Sequence, residues 1–170
     1  MTDAIADTSF LIDWARYSKR DYLWRLFDLV YIPESVLAEI YSESTLSWIV
    51  EGLASRRMAL FTETEDLLDL ARRVVSLSRS LPARGVDLPE AVCLAAGLRF
   101  GYVVLTENGG AVMAPSFLDE LRPVKVMRAL DVLNELARAG HVDLREEVAR
   151  YQAETGHRFA RRDLRRLGLE

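Results

Sequence analysis

The chain has 170 residues, of which half are hydrophobic and 28% are charged, a composition that indicates one folded domain and excludes a disordered protein. Its net charge of −4 gives no overall attraction to nucleic acid, so such binding would need a local basic patch. The single cysteine, Cys93, excludes an internal disulfide, and we expect it to be a small core residue. Zinc sites usually have Cys and His ligands, and the chain has too few of them, namely Cys93, His141 and His157.

The first residues, MTDAIADTS, lack the basic start and the longer apolar run of a secretion signal. No stretch of the sequence approaches the roughly 18 apolar residues that a membrane-spanning helix needs. We therefore expect a cytoplasmic protein that does not use a membrane.

Short strand-like runs alternate with helical patterns along the chain. The predicted strands are DAIAD (3–7), LVYIP (29–33), MALF (58–61), YVVLT (102–106) and PVKVM (123–127). The predicted helices are 22–28, 34–54, 64–80, 88–100, 129–139, 143–155 and 160–167, all with approximate bounds. This alternation predicts an α/β fold, a three-layer α/β/α sandwich with a central parallel sheet. The strand signals stop near residue 128, so we expect residues 128–170 to form a helical extension packed on the domain of residues 1–127.

Acidic or amide side chains recur where an apolar run passes into a helix. In open parallel sheets, sites form outside the carboxyl ends of the strands, where several of these side chains are expected to meet. Carboxylate and amide oxygens are the protein ligands that Mg²⁺ and Mn²⁺ favour. The pattern therefore predicts a divalent-cation site, with these four positions as its ligands: Asp7, Glu39, Glu90 and Asn108.

Each of these positions also has a structural interpretation. Asp7 or Ser9 could cap a helix that starts near Phe10, and Glu39 could be an exposed helical glutamate. Asp87 and Glu90, three positions apart, match a capping box. Thr106, Glu107 and Asn108 could be turn residues, followed by a mobile loop at Gly109 and Gly110. Asp13 is expected to be a solvated helix residue.

The order and spacing of the short motifs DTSFLID, PESVLAEI, DLPEAVCLAAG and VVLTEN resemble those of PIN-domain nucleases, a family that includes the VapC-type toxins of toxin–antitoxin systems. The resemblance covers roughly residues 3–127. The tail that begins at DVLNELARAGHVDL is similar to the helical C-terminus of a branch of PIN-like proteins.

The resemblance implies a metal-dependent endoribonuclease, with Asp7, Glu39 and Glu90 at the family's three acidic positions and Asn108 at the fourth. It implies supporting roles for Ser9 and Thr106, for Asp87 as an accessory ligand and for Glu107 as a neighbouring acid. Two departures stand out, because the toxin branch more commonly has Asp where this chain has Glu90, and Asn108 lacks a charge. The family also implies an RNA substrate, an antitoxin protein as partner and a homodimer.

Three carboxylates within about 5 Å of one another would repel by roughly 3 kcal/mol per pair at an effective dielectric of 20, so at least one pKa should be raised. A Mg²⁺ or Mn²⁺ ion would relieve that repulsion and activate water for phosphodiester hydrolysis. For contacts with the RNA backbone we predict Arg16, Lys19, Arg20 and Arg84. A cluster of arginines lies near the C-terminus, at positions 158, 161, 162, 165 and 166. These residues could form a solvated helix face, contact phosphates or bind an acidic partner.

Two other classes of function stay open. A non-catalytic PIN-like module that binds RNA or a protein is favoured by the departures at Glu90 and Asn108. A phosphoacceptor domain with Asp7 as nucleophile is disfavoured, because Ser9 stands where related phosphatases place a second aspartate.

Overall fold

The computed structural model describes residues 2–82 and 84–170. It confirms the predicted fold class, with a five-stranded, all-parallel sheet of order β3-β2-β1-β4-β5 flanked by helices. The strands are β1 (Thr2–Ala6), β2 (Phe27–Pro33), β3 (Met58–Phe61), β4 (Val103–Leu105) and β5 (Val126–Met127). The helices are α1 (Thr8–Ala15), α2 (Glu34–Ala38), α3 (Glu43–Ala54), α4 (Glu65–Ser78), α5 (Leu88–Phe100), α6 (Gly109–Phe117), α7 (Ala129–Arg138), α8 (Leu144–Thr155) and α9 (Arg161–Arg166), with 3-10 turns at Arg20–Arg25 and Asp119–Leu121.

The central strand β1 explains why the sheet forms here. Ala4, Ile5 and Ala6 are fully buried, as expected for a strand that is covered on both faces by helices. Ile5 pairs with Tyr31 of β2 on one side and with Val104 of β4 on the other. The chain runs from β1 outward through β2 and β3, and then crosses to β4. The gap between the ends of β1 and β4 is therefore the switch point of the sheet, where ligands bind in folds of this kind.

Helix α5 lies against the centre of the sheet. All of its residues from Ala91 to Gly97 are buried, and it contacts β1, β2 and β4 as well as α4. A methyl group on Gly97 would lie 2.8 Å from Val104 Cγ2, so glycine allows the close approach of this helix to β4. Cys93, on the same helix, is fully buried, which confirms its predicted place in the core. The position of α5 fixes its first turn, with Glu90, beside the switch point.

The C-terminal helices belong to the same hydrophobic core as the sheet. Leu133, Leu136 and Tyr151 are fully buried in it. Tyr151 packs against Trp14 of α1, with ring centroids 5.6 Å apart, and against Tyr17. Tyr17 also donates a hydrogen bond to the buried carboxylate of Glu147 on α8, which pairs with Lys19. Residues after 128 are thus helical and packed on the sheet domain, and the proposed division at 127/128 stays a prediction.

Three local predictions were wrong. The helix predicted at 22–28 is a 3-10 turn that ends at Arg25, because Phe27 is buried as the first residue of strand β2. The helix predicted at 34–54 is two helices, and Ser42 begins the second by accepting a hydrogen bond from Thr45 N at 3.5 Å. The mobile loop predicted at Gly109 and Gly110 is the first turn of α6. In each case a cap or a tertiary contact overrode the local pattern.

Candidate functional site

Asp7 lies at the end of β1 and is the N-cap of α1, as one of its two interpretations predicted. Its backbone N–H donates to Leu105 O at 3.0 Å, which joins the ends of β1 and β4. Its side chain is 1% exposed. Oδ1 accepts from Phe10 N at 3.0 Å and from the Ser9 hydroxyl at 2.8 Å. Oδ2 accepts from the Thr106 hydroxyl. This carboxylate is therefore held at the switch point by three donors from two strand ends.

The turn after β4 is joined to the turn after β1 by two hydroxyl groups. Ser9 Oγ accepts from Glu107 N at 3.1 Å while it donates to Asp7. Thr106 Oγ1 accepts from Asn108 N at 2.9 Å while it donates to Asp7. Both hydroxyls act at once as donor and acceptor, so their protons point toward the carboxylate. The two predicted supporting hydroxyls thus fix its orientation.

Glu90 and Asn108 bring α5 and α6 to the same edge of the sheet. Asn108 Nδ2 donates to Glu90 Oε1 at 2.8 Å, and Glu90 Oε2 accepts from Asp87 N at 2.6 Å. Asn108 Oδ1 accepts from Ala111 N at 3.1 Å, which caps α6. Asp87 is an exposed residue whose negative charge faces Glu90. Both site residues therefore also serve as helix caps.

Glu39 reaches the site from the other side of β1. It ends α2 as an exposed residue, and its Oε2 accepts from the Thr8 hydroxyl at 2.7 Å. Thr8 is the first residue of α1, directly after Asp7. The negative charge of Glu39 raises the pKa of Asp7. The exposed position that the structural interpretation predicted is confirmed, and the residue still contributes to the potential at the switch point.

The acids at this site carry charge that the protein does not neutralise. Burial raises the pKa of Asp7, against the lowering effect of the hydrogen bonds from Phe10, Thr106 and Ser9. Burial also raises the pKa of Glu90, and the charges of Asp7 and Asp87 add to that rise. Within residues 2–82 and 84–170, no Lys, Arg or His side chain forms an ion pair with these carboxylates or with Glu39. Two of the three acids thus have raised pKa values, and burial, not the repulsion between carboxylates that the sequence predicted, is the larger cause.

The donor set suits a hard divalent cation in chemistry and in charge. Across the part of the chain that the structure describes, no group of three or more His, Cys, Asp or Glu side chains is arranged as a ready metal-binding set. Mg²⁺ commonly binds through one or two carboxylates and takes its other ligands from water and substrate phosphates. Asp7 is buried and Glu90 is half-buried, and with the amide oxygen of Asn108 these two carboxylates provide that smaller set of ligands.

The Glu107 carboxylate points away from Asp7, Glu90 and Asn108. Its Oε1 accepts from Ala129 N, at the start of α7, at 2.6 Å, and Oε2 lies 3.4 Å from His157 Nε2. His157 Nδ1 lies 3.0 Å from Asp13 Oδ2. The prediction that Asp13 is a solvated helix residue was wrong, because this side chain is only 23% exposed and is paired with His157. No local signal could have paired residues 144 positions apart.

The neighbouring charges set the pKa values of this second group. Burial raises the pKa of Glu107 to about 7, against the lowering effects of Ala129 N, His157 and Arg128. The hydrogen bond with Asp13 raises the pKa of His157 above its usual value, against the effect of burial, and Glu107 adds to the rise. Glu107, with a pKa of about 7, and His157, with a raised pKa, thus connect the turn after β4 with the C-terminal segment.

Three of the four cations predicted to contact nucleic acid take part in contacts within the protein. Lys19 pairs with Glu147, and Arg20 pairs with Glu51 at 3.2 Å while it donates to Ala15 O. Arg16 donates to Thr155 O at a longer distance of 3.5 Å. Arg84 is exposed in the segment before α5. A role for these four in nucleic-acid binding stays a prediction.

Comparison with protein-family models finds no match to this chain, and no curated protein matches it. Within the described residues, no helix combines the length and the apolar character needed to cross a bilayer.

Proposed function

We propose that this chain is a metal-dependent phosphodiester hydrolase of the PIN type that cleaves RNA. The observation that carries the proposal is that Asp7, Glu90 and Asn108 lie at one edge of a parallel sheet, linked through Thr106, with no ion pair to either carboxylate among the described residues. Asp7 and Glu90 are held there at raised pKa values, with Glu39 adding negative charge. Buried carboxylates without cationic partners destabilise a folded protein, so a charge-balancing ligand is expected.

The residues that would hold Mg²⁺ or Mn²⁺ are Asp7, Glu39, Glu90 and Asn108. A bound divalent cation supplies an activated water and stabilises the charge on the leaving oxygen of a phosphodiester. Ser9 and Thr106 keep the Asp7 carboxylate in one orientation, since both of its oxygens accept hydrogen bonds. A carboxylate that binds a metal must be deprotonated, and the raised pKa values of Asp7 and Glu90 move this competition between proton and cation to higher pH. Affinity for the cation is therefore expected to rise with pH.

The test compares the wild type with Asp7→Asn, in cleavage of a labelled RNA with Mn²⁺ and in thermal unfolding. We expect cleavage by the variant to fall by more than about 100-fold, since even the loss of a residue that only supports a metal ligand reduces activity by about 10- to 100-fold. We expect Mn²⁺ at about 100 times its Kd to raise the Tm of the wild type by about 5–10 °C and to have no such effect on the variant. Without metal, the variant is expected to be less stable, because an amide offers one acceptor oxygen to the three donors that share the two carboxylate oxygens of Asp7.

The matched control is Asp21→Asn, which removes one carboxylate from an exposed position in the 3-10 turn at Arg20–Arg25. It is expected to keep wild-type cleavage and the wild-type response to Mn²⁺. Equal cleavage by the wild type and Asp7→Asn would assign the activity to a contaminant or to another site. A Tm that rises equally in both proteins would place the metal elsewhere.

A second candidate function is a non-catalytic PIN-like module that binds RNA or a protein. The mutual hydrogen bonding of Glu90 and Asn108 favours it, because both side chains already serve as caps without a metal. Wild-type protein that neither cleaves diverse RNAs nor shows a Tm shift with Mn²⁺ would support this candidate over the hydrolase.

Toxin function, an antitoxin partner and a homodimer are finer proposals that rest on the resemblance alone. Expression of the wild type, but not of Asp7→Asn, should arrest growth if the chain is a toxin. Tyr41, Leu46 and Val50 are exposed apolar side chains on and before α3. Light scattering would show whether the chain is a dimer.

A further inference from the structure

A cavity of about 370 Å³ lies next to the candidate site, on the C-terminal side of the turn after β4. Glu107 forms part of its wall, and the backbone N–H of that residue donates to Ser9 of the candidate site. Met113 of α6 lines another side, and α6 is the helix that Asn108 caps. The volume lies within the range of about 300–1,000 Å³ that small-molecule sites occupy. The cavity and the acidic group are therefore neighbours that share one turn.

Arginines dominate the charge of this cavity, which is lined by Arg128, Arg158, Arg162 and Arg166. Its three carboxylates have partners within the protein. Glu107 accepts from Ala129 N, Asp131 accepts from Arg128 N at 2.9 Å, and Asp163 lies 3.6 Å from both Arg128 Nη1 and Arg162 Nε. Four arginines thus face three carboxylates in the cavity. Burial raises the pKa of Glu107 to about 7, which reduces the negative charge of that carboxylate.

Part of this cationic surface lacks a partner. Arg158 and Arg166 are exposed and form neither an ion pair nor a side-chain hydrogen bond with any residue in 2–82 or 84–170. The Nε of Arg128 is buried and has no hydrogen-bond partner among the same residues. Arginine is well suited to a phosphate, since its planar group donates two parallel hydrogen bonds.

An aromatic side chain completes the wall. Phe159 is half-buried and stacks on Tyr151, with ring centroids 5.5 Å apart and planes 19° apart. Its backbone N–H donates to Gln152 Oε1 at 3.1 Å, and its ring lies 5.0 Å from that of His157. The ring is therefore held in position at the edge of the cavity. Aromatic rings beside cations are the means by which proteins bind single-stranded nucleic acids, with bases stacked and phosphates paired.

We propose that this cavity binds one nucleotide of a single-stranded nucleic acid, with its phosphate on Arg158, Arg162 and Arg166 and its base against Phe159. The inference rests on the proposed function, under which the ligand is the RNA substrate and the nucleotide flanks the bond to be cleaved. An acidic protein segment would also satisfy the arginines. The aromatic wall and the turn shared with the acidic group favour the nucleotide.

The test measures binding of a labelled single-stranded RNA by fluorescence anisotropy in EDTA, so that cleavage does not interfere. Helix α9 offers a matched pair of double variants, because Arg162 and Arg166 line the cavity while Arg161 and Arg165 do not. All four residues are exposed, and each variant removes two arginines four positions apart in the same helix. The comparison therefore holds helix, charge change and spacing constant.

For R162Q/R166Q we expect affinity to fall by about 10-fold or more. The slope of log K against log salt should become shallower by up to about 0.7, since one phosphate contact on a single strand contributes about that much. For R161Q/R165Q we expect affinity within about 2-fold of the wild type. Phe159→Leu, which keeps an apolar side chain against Tyr151, should weaken binding by about 5-fold or more with the salt slope unchanged. Single-stranded DNA of the same sequence and a polyglutamate peptide are the comparison ligands.

Equal losses in the two double variants would overturn the proposal, because they would indicate diffuse attraction by the whole helix. Unchanged RNA binding with reduced peptide binding would assign the cavity to a protein partner instead. Equal binding of RNA and DNA supports the cavity while leaving the choice of substrate to the cleavage assay. Binding in EDTA does not depend on cleavage, so failure of the proposed hydrolase and failure of this inference give different results.

Discussion

The buried carboxylate of Glu107 allows a quantitative prediction for the variant Glu107→Gln. The substitution keeps an oxygen that can accept from Ala129 N and removes the negative charge next to His157. The Glu107 side chain is only 9% exposed, and burial raises its pKa from 4.5 to about 7. The variant therefore removes one largely buried charge, together with its effect on the pKa of His157, with little change in shape.

The sign follows from proton binding in the two states. As pH rises, the unfolded chain releases this proton near pH 4.5, whereas the folded protein keeps it until about pH 7. Between those values the folded state binds more protons, so stability falls with rising pH by up to about 1.4 kcal/mol per unit. Over the whole range from pH 4.5 to pH 7, the predicted loss in the free energy of unfolding is about 3 kcal/mol. The raised pKa of His157 acts in the same direction, because its contribution is lost as pH rises through its folded value.

Urea unfolding at about pH 5 and about pH 7.5 measures the effect. Between these values we expect the wild type to lose about 2 kcal/mol more of its free energy of unfolding than Glu107→Gln does. Glu146→Gln, which removes an exposed carboxylate from α8, should keep the wild-type dependence on pH. Parallel pH profiles of the wild type and Glu107→Gln would refute the reasoning, since they would mean that the folded protein does not hold the Glu107 proton.

Two further predictions concern stability. Lys19→Gln removes a partner of Glu147, whose side chain is 1% exposed. We expect the free energy of unfolding, measured in urea, to fall by about 1–3 kcal/mol. A variant that binds RNA more weakly at unchanged stability would instead support the role of Lys19 in RNA binding. Gly110→Ala would place a methyl group against Arg84 O and 2.9 Å from Gly85 O, so we expect a loss of about 1–3 kcal/mol, measured by thermal unfolding. Gly109→Ala is its control, because the nearest atom to the added methyl group is 4.0 Å away, and similar losses in both would exclude the contact as the cause.

The candidate site was predictable where local rules and topology act together. Asp7 and Asn108 follow strands that the apolar pattern predicts. Because parallel strands end at the same edge of a sheet, both residues are expected at that edge. The capping-box interpretation of Glu90 is confirmed by its hydrogen bond from Asp87 N, and the hydrogen bond from Asn108 places two of the predicted ligands side by side. The direction of the Glu107 carboxylate was not predictable, because it depends on the position of α7 relative to β4.

The sequence by itself determined the α/β layering and the ends of most elements, because hydrophobic period and capping residues act over a few neighbouring positions. The tertiary structure alone decided which charges are neutralised. Lys19 meets Glu147 and Asp13 meets His157 across more than a hundred residues, while Asp7 and Glu90 have no cationic partner in the described part of the chain. Such pairing depends on the packing of α1 and the sheet with α8 and the segment after it. Packing over that distance leaves no periodic signal in the sequence.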